Sequence, residues 1–278
     1  MTKTDVEGGK CFPSLSLIGA GRLGLALESR LRFKGANVPL WSRRYESAAR
    51  PSPPSTGDGN VVSFETVAKS DVLLSAIPNQ ALLRLTARQQ LRTFDGVVFA
   101  MGIDTSVQCI REVLSQALVI RLSPAIPAGG GEITSVGLLD ATASNDPRLG
   151  VAKAALELLG PVTWIDEEAL YDLTTLLAGP LLTLLKSAIS RTVEASLEAH
   201  QLPIQAKGEL ERTVFKELVR RSLGSSESTQ QAEKERATPG GVTEIALRHK
   251  EQLSGQLLGI VELMLDRMAN LRAEQRSQ

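Results

Sequence analysis

The chain has 278 residues, 42% hydrophobic and 22% charged, a balance that fits an ordinary globular protein with a substantial core. Its 31 lysines and arginines offset 31 aspartates and glutamates, so charge supplies no bulk attraction to nucleic acid or to an anionic membrane, and neither is expected as a partner. The two cysteines, Cys11 and Cys109, make neither a disulfide framework nor a metal-ligand cluster, which points to free thiols in a reducing, cytoplasmic setting and to no metal.

In chain order, MTKTDVEGGKCFP lacks the apolar core of a signal peptide and reads as a tail before the first strand. SLSLIGAGRLG follows, where an apolar strand ending at Ile18 breaks into Gly19, Gly21 and Gly24 at the spacing G-x-G-x-x-G. A strand before these glycines and an amphipathic helix after them form the context of a dinucleotide site. Gly19 permits the tight turn, Gly21 admits a pyrophosphate, Gly24 lets helix and strand pack closely, and the helix start beginning at Arg22 and Leu23 offers N–H groups to phosphate. The alternative is a glycine turn with no ligand. The next strand, NVPLW, ends at Ser42, Arg43 and Arg44, where an NAD site places an acidic residue for the ribose. Two arginines and a serine suit a 2′-phosphate instead, so NADPH is expected over NADH.

A proline and glycine segment, RPSPPSTGDGN, reads as a loop. Beyond it a short helix capped by Ser63 precedes the strand Val72 to Ile77, and the strands GVVFAM and ALVIRL alternate with further helices. Such alternation implies a parallel sheet with its ligand at the C-terminal strand ends, which places Ala76, Ile77, Pro78 and Asn79, and Ala100, Met101 and Gly102, beside the cofactor. ITSVGLL reads as an antiparallel or edge strand, and PVTWI closes a first domain spanning residues 1–165.

Residues 166–278 read as helical. The apolar stretch Leu173 to Leu185 is too short to span a bilayer and reads as a buried helix kinked at Gly179 and Pro180. So much apolar helix in about 110 residues exceeds what a domain of that size buries alone, which implies a homodimer through these helices. TPGGVTEIAL opens a helix directly from a turn. Gly240 and Gly241 there can present amides to a carboxylate, while an ordinary cap formed by Thr238 and Pro239 needs no ligand.

With TPGGVTEIAL and GAGRLG together, the sequence resembles pyrroline-5-carboxylate reductases over nearly its whole length. FAMGI looks like that family's nicotinamide-side A-G-I loop, and RLSPAIPAGGGE like its R-x-M-P-N-T-P-x-x-x-G-E. The resemblance implies a Rossmann-type, mainly parallel sheet domain that binds NADPH, and a C-terminal all-helical dimerisation domain. It further implies reduction of the C=N bond of a cyclic imino acid. Thr243 would act on substrate, with Thr238, Gly240, Gly241, Val242 and Glu132 in contact with it. Ala125 replaces the family's Asn, and Leu177, Ala178, Gly179 and Pro180 replace its S-G-S-G-P-A segment. Two other functions remain open at this stage. One is an NADP-dependent dehydrogenase of a hydroxy acid or polyol phosphate with Lys186 as acid; the other is a non-catalytic nucleotide-binding protein. Neither His200 and His249 nor Tyr45 and Tyr171 are expected to serve as acid catalysts.

Overall fold

The runs LSLI, VLLS and VVFA are apolar without alternation because both faces of the sheet they form are covered by helices. In the structure, a computed structural model that describes residues 4–5, 11–43, 61–89, 91–127, 131–223 and 229–276, they become Leu15–Ile18 (β3), Val72–Ser75 (β5) and Val97–Ala100 (β6), every residue of them buried. A small antiparallel pair, Thr4–Asp5 (β1) and Cys11–Phe12 (β2), precedes them. Leu40–Trp41 (β4), Leu118–Ala125 (β7), Thr134–Leu138 (β8) and Val162–Ile165 (β9) complete a seven-stranded sheet of order β4-β3-β5-β6-β7-β8-β9. From β4 to β7 the pairing is parallel; β8 runs antiparallel to β7, and β9 lies parallel to β8 at the edge. The antiparallel expectation for ITSVGLL is met, and the edge position belongs to PVTWI.

One face of the sheet packs Leu17, Leu74, Phe99 and Ile120 against Leu27 and Leu31 of the helix Arg22–Phe33 (α1) and Leu156 of the helix Leu149–Glu157. The other packs Ile18, Leu73, Val98 and Val119 against Leu82, Ile110 and Tyr171. Since β4 and β5 flank β3 on opposite sides, the chain changes direction across the sheet at β3. The crevice outside the C-terminal ends of β3 and β5 is therefore the topological switch point, where doubly wound sheets take their ligands.

The described residues form two compact units, one running up to Thr175 and resumed from Leu265 onward, the other Leu176–Met264. In packing terms the division falls past residue 165, because Tyr171 is buried in the second sheet core and Arg121 of β7 bonds Glu168 and Asp172. The second unit is helical, with Leu182–Ala199, Lys207–Leu223, Thr229–Arg236, Val242–Leu247 and most of Lys250–Arg276. Gly179 and Pro180 are absorbed by one wider turn, Leu177–Leu181, where the proline's missing donor costs least. The expectation of a buried helix here needs correction. Leu177, Leu182 and Leu184 are exposed in the single chain. By length and composition Glu168–Ala199 would also suffice to cross a membrane. Asp172 within it, however, is ion-paired to a strand arginine of the sheet. The RPSPPSTGDGN loop, Arg44 and Tyr45 lie outside the described residues.

Two carboxylates stitch the sheet unit together. Arg148 holds Asp146 below its ordinary 3.8, burial opposing. Burial likewise works against the charge on Asp140, yet Arg111 and the Ala143 amide hold it low as well. Because both folded values are depressed, their stabilisation is complete above about pH 5 and fades as the pH falls through and below the ordinary carboxylate range. The double variant Asp140→Asn, Asp146→Asn is expected to lose about 1–3 kcal/mol at neutral pH and to flatten the acid limb of a urea-midpoint-against-pH curve.

Candidate functional site

Strands β3, β5 and β6 end level with one another, Ile18 beside Ser75 and Ser75 beside Ala100. Where the chain leaves β3, Gly19 takes φ +107°, and a Cβ there would stand 2.7 Å from Ile77 Cγ2 and 2.9 Å from the Ala76 carbonyl oxygen. Gly24, one turn into α1, lies so close to the Gly19 carbonyl that no side chain fits between them. Gly21 differs from both, as nothing approaches its Cβ position within 4 Å. It stands at the N-cap of α1, where no side chain caps the helix and no acid occupies the first turn. The first N–H groups of a helix lack internal partners, so α1 directs a positive dipole end and unsatisfied donors at the open space above Gly21. Arg22 is exposed at this N-terminus, and Leu23 packs into the core behind it. Beyond β4, which pairs Trp41 with Ile18, Ser42 is half-buried and Arg43 exposed.

The loops after β5 and β6 are tied to each other. The Asn79 side-chain amide donates to the Gly102 carbonyl at 2.8 Å and accepts from the Gly102 N–H at 3.2 Å. Asp104 accepts the N–H groups of Asn79 at 2.9 Å and Gln80 at 3.1 Å. The helix Asn79–Gln89 is thus closed by a carboxylate of its own chain, whereas no side chain among the described residues caps α1. Asn79, expected beside the cofactor, is fully buried, and its side chain serves the loop pair. Gly102 leaves no room for a Cβ, which would lie 2.6 Å from the Asn79 nitrogen. Ala76, Ile77, Pro78, Ala100 and Met101 complete this rim. Asp104 was not singled out from the sequence, although an acid soon after a strand end is the signal that could have found it.

Glu132 does not join this group. It lies by Arg30, near the other end of α1, with an ion-pair distance of 3.6 Å. In the helical unit, Thr238 and Thr243 are exposed and Val242 is 84% exposed. The two glycine amides expected to meet a carboxylate are engaged: Gly241 donates to the Thr238 carbonyl at 2.8 Å and Gly240 to Glu244 at 2.6 Å. That amide and Arg248 hold the Glu244 carboxyl below its ordinary value. The expectation of free amides is therefore corrected to a turn closed by its own glutamate. Lys186, His200 and His249 are exposed. Tyr171 is buried, and burial pushes its hydroxyl up to about 12, so it stays protonated at neutral pH. A cleft of about 450 Å³ opens at the opposite, N-terminal ends of β5 and β6, beside Asp71, Phe94 and Arg148. Its arginine is already committed to Asp146 and to the carbonyls of Asp95 and Gln116.

No protein-family model matches the sequence, and comparison with curated proteins gives no match. Solved structures do match. Pyrroline carboxylate reductase of Plasmodium falciparum, solved with NADP bound, is 17% identical, with a TM-score of 0.71 over 94% of this chain and 98% of its own. Pyrroline-5-carboxylate reductase of Coxiella burnetii is 16% identical, TM-score 0.69, over 93% and 98%. An imine reductase of Myxococcus stipitatus in complex with NADP+ is 16% identical, TM-score 0.54, over 93% of each chain. The chain therefore has the fold of the pyrroline-5-carboxylate reductases, a Rossmann-type, mainly parallel sheet followed by a helical region.

Gly21 and Gly19 separate into different expected outcomes. Gly21→Ala places its methyl in open space and is expected to leave the melting temperature within about 2 °C of the parent. Gly19→Ala is expected to cost about 1–3 kcal/mol of stability, read in the same melts, because of its positive φ and its contact with Ala76.

Proposed function

We propose that this chain reduces the C=N bond of a cyclic imino acid with NADPH, converting pyrroline-5-carboxylate to proline or acting on a close analogue. The observation that carries the reading is the open N-terminus of α1 at the switch point. There nothing among the described residues lies within 4 Å of the Gly21 Cβ position, no side chain caps the helix, and Arg43 follows the neighbouring strand β4. These residues fit a dinucleotide: Gly19, Gly21, Arg22, Leu23 and Gly24 would hold its pyrophosphate. Ser42 and Arg43, with Arg44 next in sequence, would hold the 2′-phosphate. The rims Ala76–Asn79 and Ala100–Gly102 would border the nicotinamide. When bound, NADPH supplies a hydride.

The protein's own task is then to hold an imine in place and keep water away. A protonated imine is already electrophilic, so no strong acid is required. The Thr243 hydroxyl would orient it, with Thr238 and Val242 beside it. Gly240 and Gly241 would take the carboxylate only if Glu244 turns away, which makes Glu244 an internal stand-in for a substrate carboxylate. Glu132, paired with Arg30, has no part in this reading. The departures at Ala125 and at Leu177–Pro180 are the reason a close analogue is retained beside pyrroline-5-carboxylate. Exposed Leu182, Leu218, Leu253, Leu258 and Leu263 support a homodimer through the C-terminal helices. Functionally, residues 1–165 would serve the cofactor and 166–278 the substrate and the dimer.

The experiment is NADPH oxidation by the purified chain with pyrroline-5-carboxylate and a panel of cyclic imines and keto acids. Turnover is expected with an imine. Arg43→Ala should raise KM for NADPH about tenfold and leave that for NADH unchanged, and Thr243→Ala should lower kcat about a hundredfold. Lys186→Met should leave turnover intact; its loss would move the assignment to a hydroxy-acid or polyol-phosphate dehydrogenase. Tight NADPH binding with no turnover on any compound would favour a non-catalytic protein.

A further inference from the structure

A single charged residue interrupts the apolar strand β7. Arg121 is 0% exposed, on the sheet face that carries Ser75 and Ala100, and it pairs in register with Ala100 at the end of β6. Its Nη1 donates to Glu168 and to Asp172, each at 2.8 Å, and its guanidinium lies 4.6 Å from the centre of the Tyr171 ring. Arg272, near the end of the last helix, grips both Asp172 oxygens at 2.7 and 2.8 Å. As a device for stability this cluster is uneconomical. A buried ion cluster seldom outperforms an apolar packing of the same volume, and the Nε and Nη2 of Arg121 and the Nε of Arg272 find no acceptor among the described residues.

What the cluster does reach is the loop after β6. The same Glu168 oxygen that Arg121 holds also accepts the Val107 N–H at 2.8 Å. Val107 ends the segment Met101–Ser106, whose other anchors are the Gly102–Asn79 pair and Asp104 on the amides of Asn79 and Gln80. The segment is thus held at its start by β5's loop and at its end by a helix 61 residues further along the chain.

We infer that Glu168, aimed by Arg121, is a positioning residue for the Met101–Ser106 loop and through it for the nicotinamide end of the cofactor. The second half of that statement rests on the dinucleotide reading above; the first half does not. Arg272 acts one step further back, fixing Asp172 so that Arg121 can serve both carboxylates without drifting from Glu168.

The test uses the full chain and two readouts, hydrogen exchange of the peptide covering Gly102–Val107 and NADPH titration, with melting temperature alongside. Glu168→Ala removes the acceptor yet leaves Asp172 to neutralise Arg121, so the fold is retained. It should speed exchange in the loop about tenfold and raise the NADPH Kd about tenfold. Glu168→Gln keeps an oxygen in place for the Val107 N–H and should restore both to within about twofold of the parent. Asp146→Ala breaks an ion pair at the far end of the sheet and should lower the melting temperature with neither readout changed. Unchanged exchange in Glu168→Ala overturns the clamp. Faster exchange at unchanged Kd overturns its link to the cofactor, and so does a Gln variant as impaired as the Ala variant. If the parent chain binds no NADPH, the dinucleotide reading fails and takes that link with it, while the exchange data still decide the clamp.

Discussion

Backbone meets backbone where α1 leaves β3, and the rest of the sheet unit depends on that contact. With Gly24 against the Gly19 carbonyl and Gly19 against Ala76, α1, β3 and the loop after β5 approach more closely than any side chain allows. The same contact aims the start of α1 at the crevice beside the strand ends, where its donors remain open. A methyl at Gly19 or Gly24 would push helix and strand apart. A methyl at Gly21 would meet nothing within 4 Å among the described residues.

The second constraint concerns the loops that rim the crevice. Loops after parallel strands are free to wander unless their backbone groups are paired, and here each is paired by a side chain from elsewhere. Asn79 and Asp104 join the loops after β5 and β6, and Glu168 closes the far end of the latter. Two helix N-termini in this region are therefore occupied by carboxylates of the chain, and α1 is left as the open one.

The helical unit follows a different logic. Its long helices carry exposed leucines, and its TPGG turn closes on Glu244. Glu244 satisfies the Gly240 amide and the Thr238 carbonyl that of Gly241, so both donors of the turn are paired within it.

Much of the sheet unit was legible in the sequence because its signals are local. Glycine spacing, unbroken apolar runs of four residues and punctuation by proline each act within a few positions, so strand order along the chain, the glycine turn and the helices were readable. The exposure of the 177–184 helix was not, because burial depends on what else lies nearby and not on apolarity alone. Neither was the pairing of Glu132 with Arg30, which lies about a hundred residues earlier in the chain. Arg121 was quoted within a motif, yet its role stayed hidden because its partners lie 47 and 51 residues downstream. The sequence by itself determined where backbone could approach backbone, since a missing side chain is a property of one residue. Only the tertiary structure decided which charges meet, since a buried charge is defined by partners that the fold, not the chain, brings to it.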